Sequence, residues 1–443
     1  ELTRRCDVLV DALLGTGATG MLRGTLRELV AQVRQGLSER TIEPDDAGSP
    51  LRDPHHALDP KCDGRPYIVA VDVPSGLDCD TGAIDDLALY ADLTVTFAYP
   101  KRGHYLYPGA AHVGRLLVAD IGIDPTSAAG SAWQVAVPEF VAAMLPARPA
   151  QAHKGIFGKA LIVAGSAHYV GAPRLAAEAA YRSGAGLVTL AVGETIYPII
   201  AARALEPTFL ILPDDLGAII PDALRVLEEY IKGYDALLVG PGLGAEEKTG
   251  EFLRELLVGQ AAGRRPIGFR NQANPAVERP PLPPMVLDAD GLNLLRYCPL
   301  WWEYLPAGSV ITPHPGEMAR LLGCDIGQVN ADRIGIASQA ATQWGCVVVL
   351  KGAYTVAAAP DGRGAIIPYA NPVLATAGTG DVLAGAIVGL MAQGLNGYEA
   401  AICGAYLHGL AGELRREQIG NAGMLAGDLL PLLPSAIQQI TQS

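Results

Sequence analysis

Gly378, Gly380 and Asp381 are the residues whose types and spacing point most directly to chemistry, within the run Ala375-Thr376-Ala377-Gly378-Thr379-Gly380-Asp381-Val382-Leu383-Ala384-Gly385. The glycines let the backbone turn sharply, and the apolar stretch from Val382 to Met391 has helical length with small residues for its packing face. A helix starting here directs its first free N–H groups into a loop, where they and the helix dipole attract phosphate. The same field is expected to hold Asp381 ionised. An ionised carboxylate beside an anion cradle suits phosphoryl transfer, with the cradle holding the transferred group and the Asp accepting the attacking hydroxyl's proton. A plainer role fits the same residues: an acid stabilising a Gly-rich helix start.

Other polar residues stand where strands should end. Cys6-Asp7-Val8-Leu9-Val10 runs into Asp11, and Tyr67-Ile68-Val69-Ala70-Val71 runs into Asp72, with Ser75 just beyond. Leu93 to Ala98 and Arg115 to Ala119 read as two more strands. Downstream, Ala160 to Gly165, Gly186 to Val192, Ala236 to Val239, Met285 to Leu287, Val310 to Ile311 and Val347 to Leu350 repeat the plan, delivering Gly244, Asp288, Asp290, His314 and Lys351 to strand ends. Short apolar strands separated by helical segments predict parallel α/β sheets, which gather ligands beyond the carboxyl ends of their strands. Structural roles remain open for each residue. Asp11 and Asp72 could close strand-to-helix turns, Asp290 with Asn293 could cap a helix, His314 could satisfy neighbouring carbonyls, and Lys351 could point to water.

A chain of 443 residues has room for two or three cores. Half the residues are hydrophobic and 18% are charged, which argues against general disorder. A net charge of −13 argues against nucleic acid or an anionic membrane as the main partner, since either needs a basic face. The seven cysteines are scattered without a C-x-x-C pair, so neither a disulfide framework nor a zinc site is indicated, and a reducing cytoplasm is expected. No apolar run reaches the ~18 residues of a membrane span. A small-molecule substrate and a homo-oligomeric assembly are expected. Residues 35–66 form a polar stretch containing His55-His56, read as a loop, and the boundary between two domains, 1–130 and 131–443, falls in the Ala-, Pro- and Ser-rich stretch near residue 130.

The segments VDALLGTG, from Val10, and VDVPSGLD, from Val71, resemble the N-terminal epimerase domain of the NAD(P)H-hydrate repair family, which interconverts the two epimers of hydrated nicotinamide cofactor. The resemblance implies potassium ligands at Asp11 and Ser75, a phosphate-holding loop over Gly15, Thr16, Gly17, Ala18, Thr19, Gly20 and Met21, and a substrate-binding carboxylate at Asp72. Oxygen ligands suit such a hard cation. The family carries an Asn- and Gly-rich loop upstream of this point, so the Rossmann-like first domain is expected to be incomplete.

The ordered set GPGLG, LDADGLN, TPHPGE, LKGAYT and ATAGTGDVLAG resembles the dehydratase domain of the same family, interrupted only by a Pro- and Arg-rich insertion at about 258–284. That domain is ribokinase-like and uses ADP or ATP, with magnesium, to remove water from hydrated NADH or NADPH. The resemblance therefore implies two three-layer α/β/α domains. It places hydrate-binding positions at Ala172, Gly244 and His314, nucleotide-binding ones at Lys351, Gly352, Ala353, Tyr354, Thr355 and Gly380, and contact with the reacting part of the substrate at Asp381. Asp288 and Asp290 could help hold the magnesium nucleotide. Two alternatives stand beside this reading: a kinase for a vitamin precursor or sugar, and a non-catalytic ligand-binding first domain.

Overall fold

The computed structural model describes residues 2–18, 20–39, 66–124, 130–259 and 281–442, so Thr19, His55-His56 and most of the 258–284 insertion lie outside the described residues. The chain divides into two compact units, Glu1–Ser131 and Ala132–Ser443.

The first unit is built on strands β1 (Val8–Asp11), β2 (Tyr67–Val71), β3 (Leu93–Phe97) and β4 (Arg115–Ala119). They pair in that order and all parallel, so every strand ends at the same edge. Helix Gly24–Ser38 covers one face, where Val33 and Leu37 pack on Ile68 and Ala70. Parallel pairing of β1 with β2 in register Asp11↔Ala70 carries Asp11 level with the end of β2. Sequence neighbours 64 positions apart, Asp11 and Ser75, are thereby brought into contact.

The second unit holds β5 (Trp133–Val135), β6 (Lys159–Val163), β7 (Leu187–Gly193), β8 (Thr208–Leu212), the small hairpin β9 (Asp214–Asp215) and β10 (Ala218–Ile219), β11 (Ala236–Val239), β12 (Met285–Leu287), β13 (Val310–Ile311), β14 (Val347–Leu350), β15 (Val356–Ala358) and β16 (Gly364–Ile366). Its main sheet has ten strands in the order β5-β16-β15-β14-β13-β12-β11-β6-β7-β8. From β14 to β8 the pairing is parallel throughout. Strands β6, β11, β12, β13 and β14 are buried almost without exception, which is why they read as unbroken apolar runs rather than alternating ones.

Helix Thr379–Ala392 is buried along its whole length after Asp381. It lies against helix Ala172–Arg182 so closely that the two backbones nearly touch. A Cβ added at Gly385 would collide with the Ala176 carbonyl and come within 2.7 Å of its Cα, and one at Gly389 would lie 2.6 Å from the Ala180 carbonyl oxygen. Alanine and glycine on both partners are what permit this approach, and it sets where the helix N-terminus, with Gly380 and Asp381, meets the sheet edge. Gly385→Ala is expected to destabilise the second unit by roughly 1–3 kcal/mol through overpacking, read as a lower urea midpoint at unchanged slope.

Candidate functional site

Helix Thr379–Ala392 begins at Gly378, whose φ of 89° is open to glycine. Among the described residues the N–H groups of Gly380 and Asp381 find no backbone acceptor, since the nearest helical bonds are Thr379 N–H to the Thr376 carbonyl and Val382 N–H to the Gly378 carbonyl. The Thr379 hydroxyl and the buried His408 ring, 3.0 Å from the Thr379 carbonyl, fix the loop from behind. Two free donors thus face outward at the positive end of a buried helix.

Asp381 is not held ionised, contrary to the expectation from the helix dipole. Burial, reinforced by the neighbouring Asp288 charge and opposed by Lys351, pushes its carboxyl up to about 7. The dipole amounts to about half an elementary charge, which full carboxylates nearby and loss of water outweigh. An acid poised near neutrality is suited to gaining and losing a proton during turnover.

Beside it lies a buried charge cluster. The Lys351 ammonium donates to Asp288 Oδ1 at 2.6 Å and lies 3.7 Å from Glu317 Oε2, with 17% of its side chain exposed against 1% for Asp288 and 6% for Glu317. Lys351 therefore points inward, not to water. Burial alone would lower its pKa, but Asp288 and Glu317 win and raise it, so it stays a cation. Asp288 Oδ1 also accepts the Thr312 hydroxyl at 2.7 Å, while Oδ2 is buried without a hydrogen-bond partner. A Cβ at Gly380 would sit 3.9 Å from that oxygen and 3.5 Å from the Lys351 ammonium, which places cluster and helix N-terminus side by side. An orphaned carboxylate oxygen next to outward N–H groups fits a cation-bearing phosphate, since a hard cation takes the oxygen and the amides take the anion.

The turn after β14 is closed by the Thr355 hydroxyl donating to the Gly352 carbonyl at 2.9 Å, and Tyr354 adopts a left-handed φ of 53°. The Arg333 guanidinium supports this turn from below, donating to the Leu350 and Lys351 carbonyls. Ala353 is exposed at the tip.

His314 caps helix Pro315–Leu322: its Nδ1 accepts from the Gly316 and Glu317 N–H groups, and the Glu317 carboxylate accepts from the His314 N–H at 2.7 Å. Burial and nearby Lys351 hold the ring below its ordinary pKa, so it is neutral at pH 7 with the proton on Nε2. Half the side chain is exposed, and Nε2 lies 3.5 Å from Glu317 Oε1 at the edge of the cluster. Asp290 does not cap a helix with Asn293. It accepts the Gly244 N–H at 2.9 Å, and Asn293 accepts from Arg320. Ala172 opens its helix against Gly242, where an added Cβ would meet the Ala172 Cβ at 3.0 Å.

In the first unit, Asp11 accepts the Ser75 hydroxyl at 2.5 Å and the Ser75 N–H at 2.8 Å, tying two loops, and also accepts the Leu13 N–H of its own turn at 3.5 Å. Both residues are buried. Asp72 has a positive φ of 69° and takes the Lys101 ammonium at 2.6 Å, the Thr96 hydroxyl and the Phe97 N–H on Oδ1. Burial pushes its carboxyl up, but the hydrogen bonds from Lys101 and Thr96 outweigh that and hold it ionised. Oδ2 is turned toward Gly15, where a Cβ would lie 3.6 Å away. Gly15 starts a turn closed by the Ala18 N–H, Gly17 has open space around it, Gly20 is left-handed, and Met21 is exposed.

Sequence reasoning passed over Lys101 and Glu317. Lys101 lies in the loop beyond β3 and Lys351 directly follows β14, and Glu317 is the third residue of a helix entered through His314-Pro315. Position at a strand's carboxyl end and capping-box spacing were the available signals.

Residues 160–435 match the family model described as NAD(P)H-hydrate dehydratase, and residues 1–103 match that described as YjeF-related protein N-terminus. The bifunctional NAD(P)H-hydrate repair enzyme of Moorella thermoacetica is 39% identical over 441 residues, covering 98% of this chain and 74% of that protein. Its counterpart in Escherichia coli is 37% identical over 436 residues, covering 96% and 71%. Among solved structures, the ADP/ATP-dependent NAD(P)H-hydrate dehydratase of Bacillus subtilis, co-crystallised with ATP and Mg2+, is 29% identical with a TM-score of 0.53 and covers 69% of this chain and 97% of that one. A ribokinase-like superfamily protein of Enterococcus faecalis, 24% identical with a TM-score of 0.57 over 71% of this chain and 98% of its own, shares the fold. The chain belongs to the bifunctional NAD(P)H-hydrate repair enzyme family.

Proposed function

We propose that the second unit restores hydrated NADH or NADPH to the reduced cofactor at the expense of ADP or ATP, and that Asp381 is its proton acceptor. The observation that carries this reading is the meeting of three features at one sheet edge. Outward N–H groups of Gly380 and Asp381 offer an anion cradle, Asp288 has a free buried oxygen, and the Asp381 carboxyl is poised near neutral pH.

The nucleotide supplies the phosphoryl group that turns the hydrate's hydroxyl into a phosphate, a far better leaving group than hydroxide. Asp381 takes the proton from that hydroxyl as its oxygen attacks phosphorus, and departure of phosphate with the C–O electrons, with loss of a proton from the ring, restores the double bond. Gly380 and the turn from Lys351 through Gly352, Ala353 and Tyr354 to Thr355 hold the nucleotide, while Asp288 holds its magnesium ion. Ala172, Gly244 and the Nε2–H of His314 hold the hydrate.

The first unit is read as the epimerase part. Asp72, kept ionised by Lys101, faces the substrate across the Gly15–Met21 loop, and Asp11 with Ser75 contributes oxygens to a potassium ion. Oxygen donors of this kind suit both hard cations, magnesium and potassium. The test is to incubate the chain with S-hydrate and ADP or ATP, and in parallel with a panel of vitamin-precursor and sugar alcohols. Cofactor absorbance returning in step with nucleotide consumption is expected. Phosphorylation of an alcohol without hydrate turnover would overturn the reading in favour of a simple kinase.

A further inference from the structure

Beyond β6, at the same carboxyl edge, lies a cavity of about 310 Å³ lined by Ser166, His168, Asp215, Leu216, Glu246 and Lys248. Its floor is Ser166, only 3% exposed, whose hydroxyl is one of five buried side-chain polar atoms without a partner among the described residues. One wall is the tip of the β9–β10 hairpin, where Gly217 packs on Ala167 closely enough that a Cβ would come within 2.8 Å of the Ala167 Cβ. The other wall is Glu246. Its carboxylate lies over Gly244, so that a Cβ there would collide with it.

The cavity neighbours the candidate site through Glu246, which lines it and lies over Gly244, whose N–H donates to Asp290. Along the edge the order is the Lys351 turn on β14, His314 after β13, Asp288 after β12, Gly244 after β11 and Ser166 after β6. A phosphate donor on the β14 side leaves the far end of an extended dinucleotide only the opposite direction, toward this cavity. Its charges set what it accepts there. Lys248 is paired with Asp215, whereas Glu246 has no ion-pair partner among the described residues, so the cavity presents surplus negative charge and an unused hydroxyl. Carboxylates facing a ribose accept hydrogen bonds from its hydroxyls and repel a phosphate at the same position.

We propose that this cavity binds the adenosine ribose of the hydrated dinucleotide through Glu246 and Ser166, and so selects NADH hydrate over NADPH hydrate. This rests on the dehydratase reading given above. The test is kcat/KM of the whole chain for the two hydrates at saturating nucleotide, together with fluorescence titration of NADH and NADPH, which needs no turnover. A preference for the unphosphorylated form of about tenfold is expected in both measurements, falling to near parity in Glu246→Lys and to an intermediate value in Glu246→Gln. Ser166→Ala is expected to raise KM for NADH hydrate a few-fold at unchanged kcat. Equal wild-type values for the two forms, or a preference untouched by Glu246→Lys, would overturn the proposal. Discrimination in titration without any turnover would support the cavity's role and sink the dehydratase reading instead.

Discussion

Asp381→Asn is expected to lower kcat for nucleotide-dependent dehydration by about 10²–10⁴-fold, the usual contribution of a positioned general base. The amide keeps the size and the helix start but cannot accept the proton. Nucleotide KM should change little, because Gly380 and the Lys351 turn are untouched; a loss below tenfold in kcat would remove Asp381 from the chemistry. The pH dependence sharpens the test. With its carboxyl raised to about 7, Asp381 is mostly protonated at pH 6, so wild-type kcat/KM should climb with pH up to about 7 and then level off. That limb should vanish in the variant. Stability should move the other way. A carboxyl whose folded pKa is raised binds more protons folded than unfolded between its ordinary value and about 7, so it costs stability as pH rises through that window. Asp381→Asn removes that cost and should melt higher than wild type at pH 8, with the gap closing toward pH 4. An active-site acid held against its preference is an ordinary place for activity to be bought with stability.

The parallel sheets were legible because their strands are short apolar runs between loops, whether buried on both faces as in the second unit or partly exposed as at the edges of the first. Arg115–Ala119 and Ala236–Val239 lie where the hydrophobic pattern puts them, and Val8–Asp11 and Lys159–Val163 differ from it only at their ends. Which polar residues reach the carboxyl edge was legible for the same reason, since strand ends announce themselves. What those residues do to one another was not. Lys351 and Asp288 are 63 positions apart, and only the adjacency of β12, β13 and β14 joins them. The ionisation of Asp381 was misread because the helix dipole is a local feature, visible in the sequence, whereas the burial that raises its carboxyl most, and the Asp288 charge that adds to it, come from tertiary packing. His314 carries two roles that a sequence presents as rivals: Nδ1 caps the helix, and the half-exposed ring edge at Nε2, 3.5 Å from Glu317 Oε1, can meet a ligand.

The second large effect comes from the cluster that the sequence did not join. Lys351→Met is expected to destabilise the second unit by about 3–5 kcal/mol, because it leaves Asp288 and Glu317 buried without their cation. The effect should depend on pH. Burial already raises the Glu317 carboxyl against the opposing Lys351 charge, and without that charge Glu317 costs little at acid pH and progressively more as pH rises; the deficit should be small near pH 4 and full by pH 8. Asp288→Asn added to Lys351→Met should recover part of the loss, since the double variant buries one charge fewer, whereas Asp288→Asn alone should destabilise. Additive losses in the double variant would mean that the two side chains act independently. The chain offers a clean reporter for this cycle. All four tryptophans, Trp133, Trp301, Trp302 and Trp344, lie in the second unit, so urea unfolding followed by tryptophan fluorescence reads that unit directly, whatever the first one does.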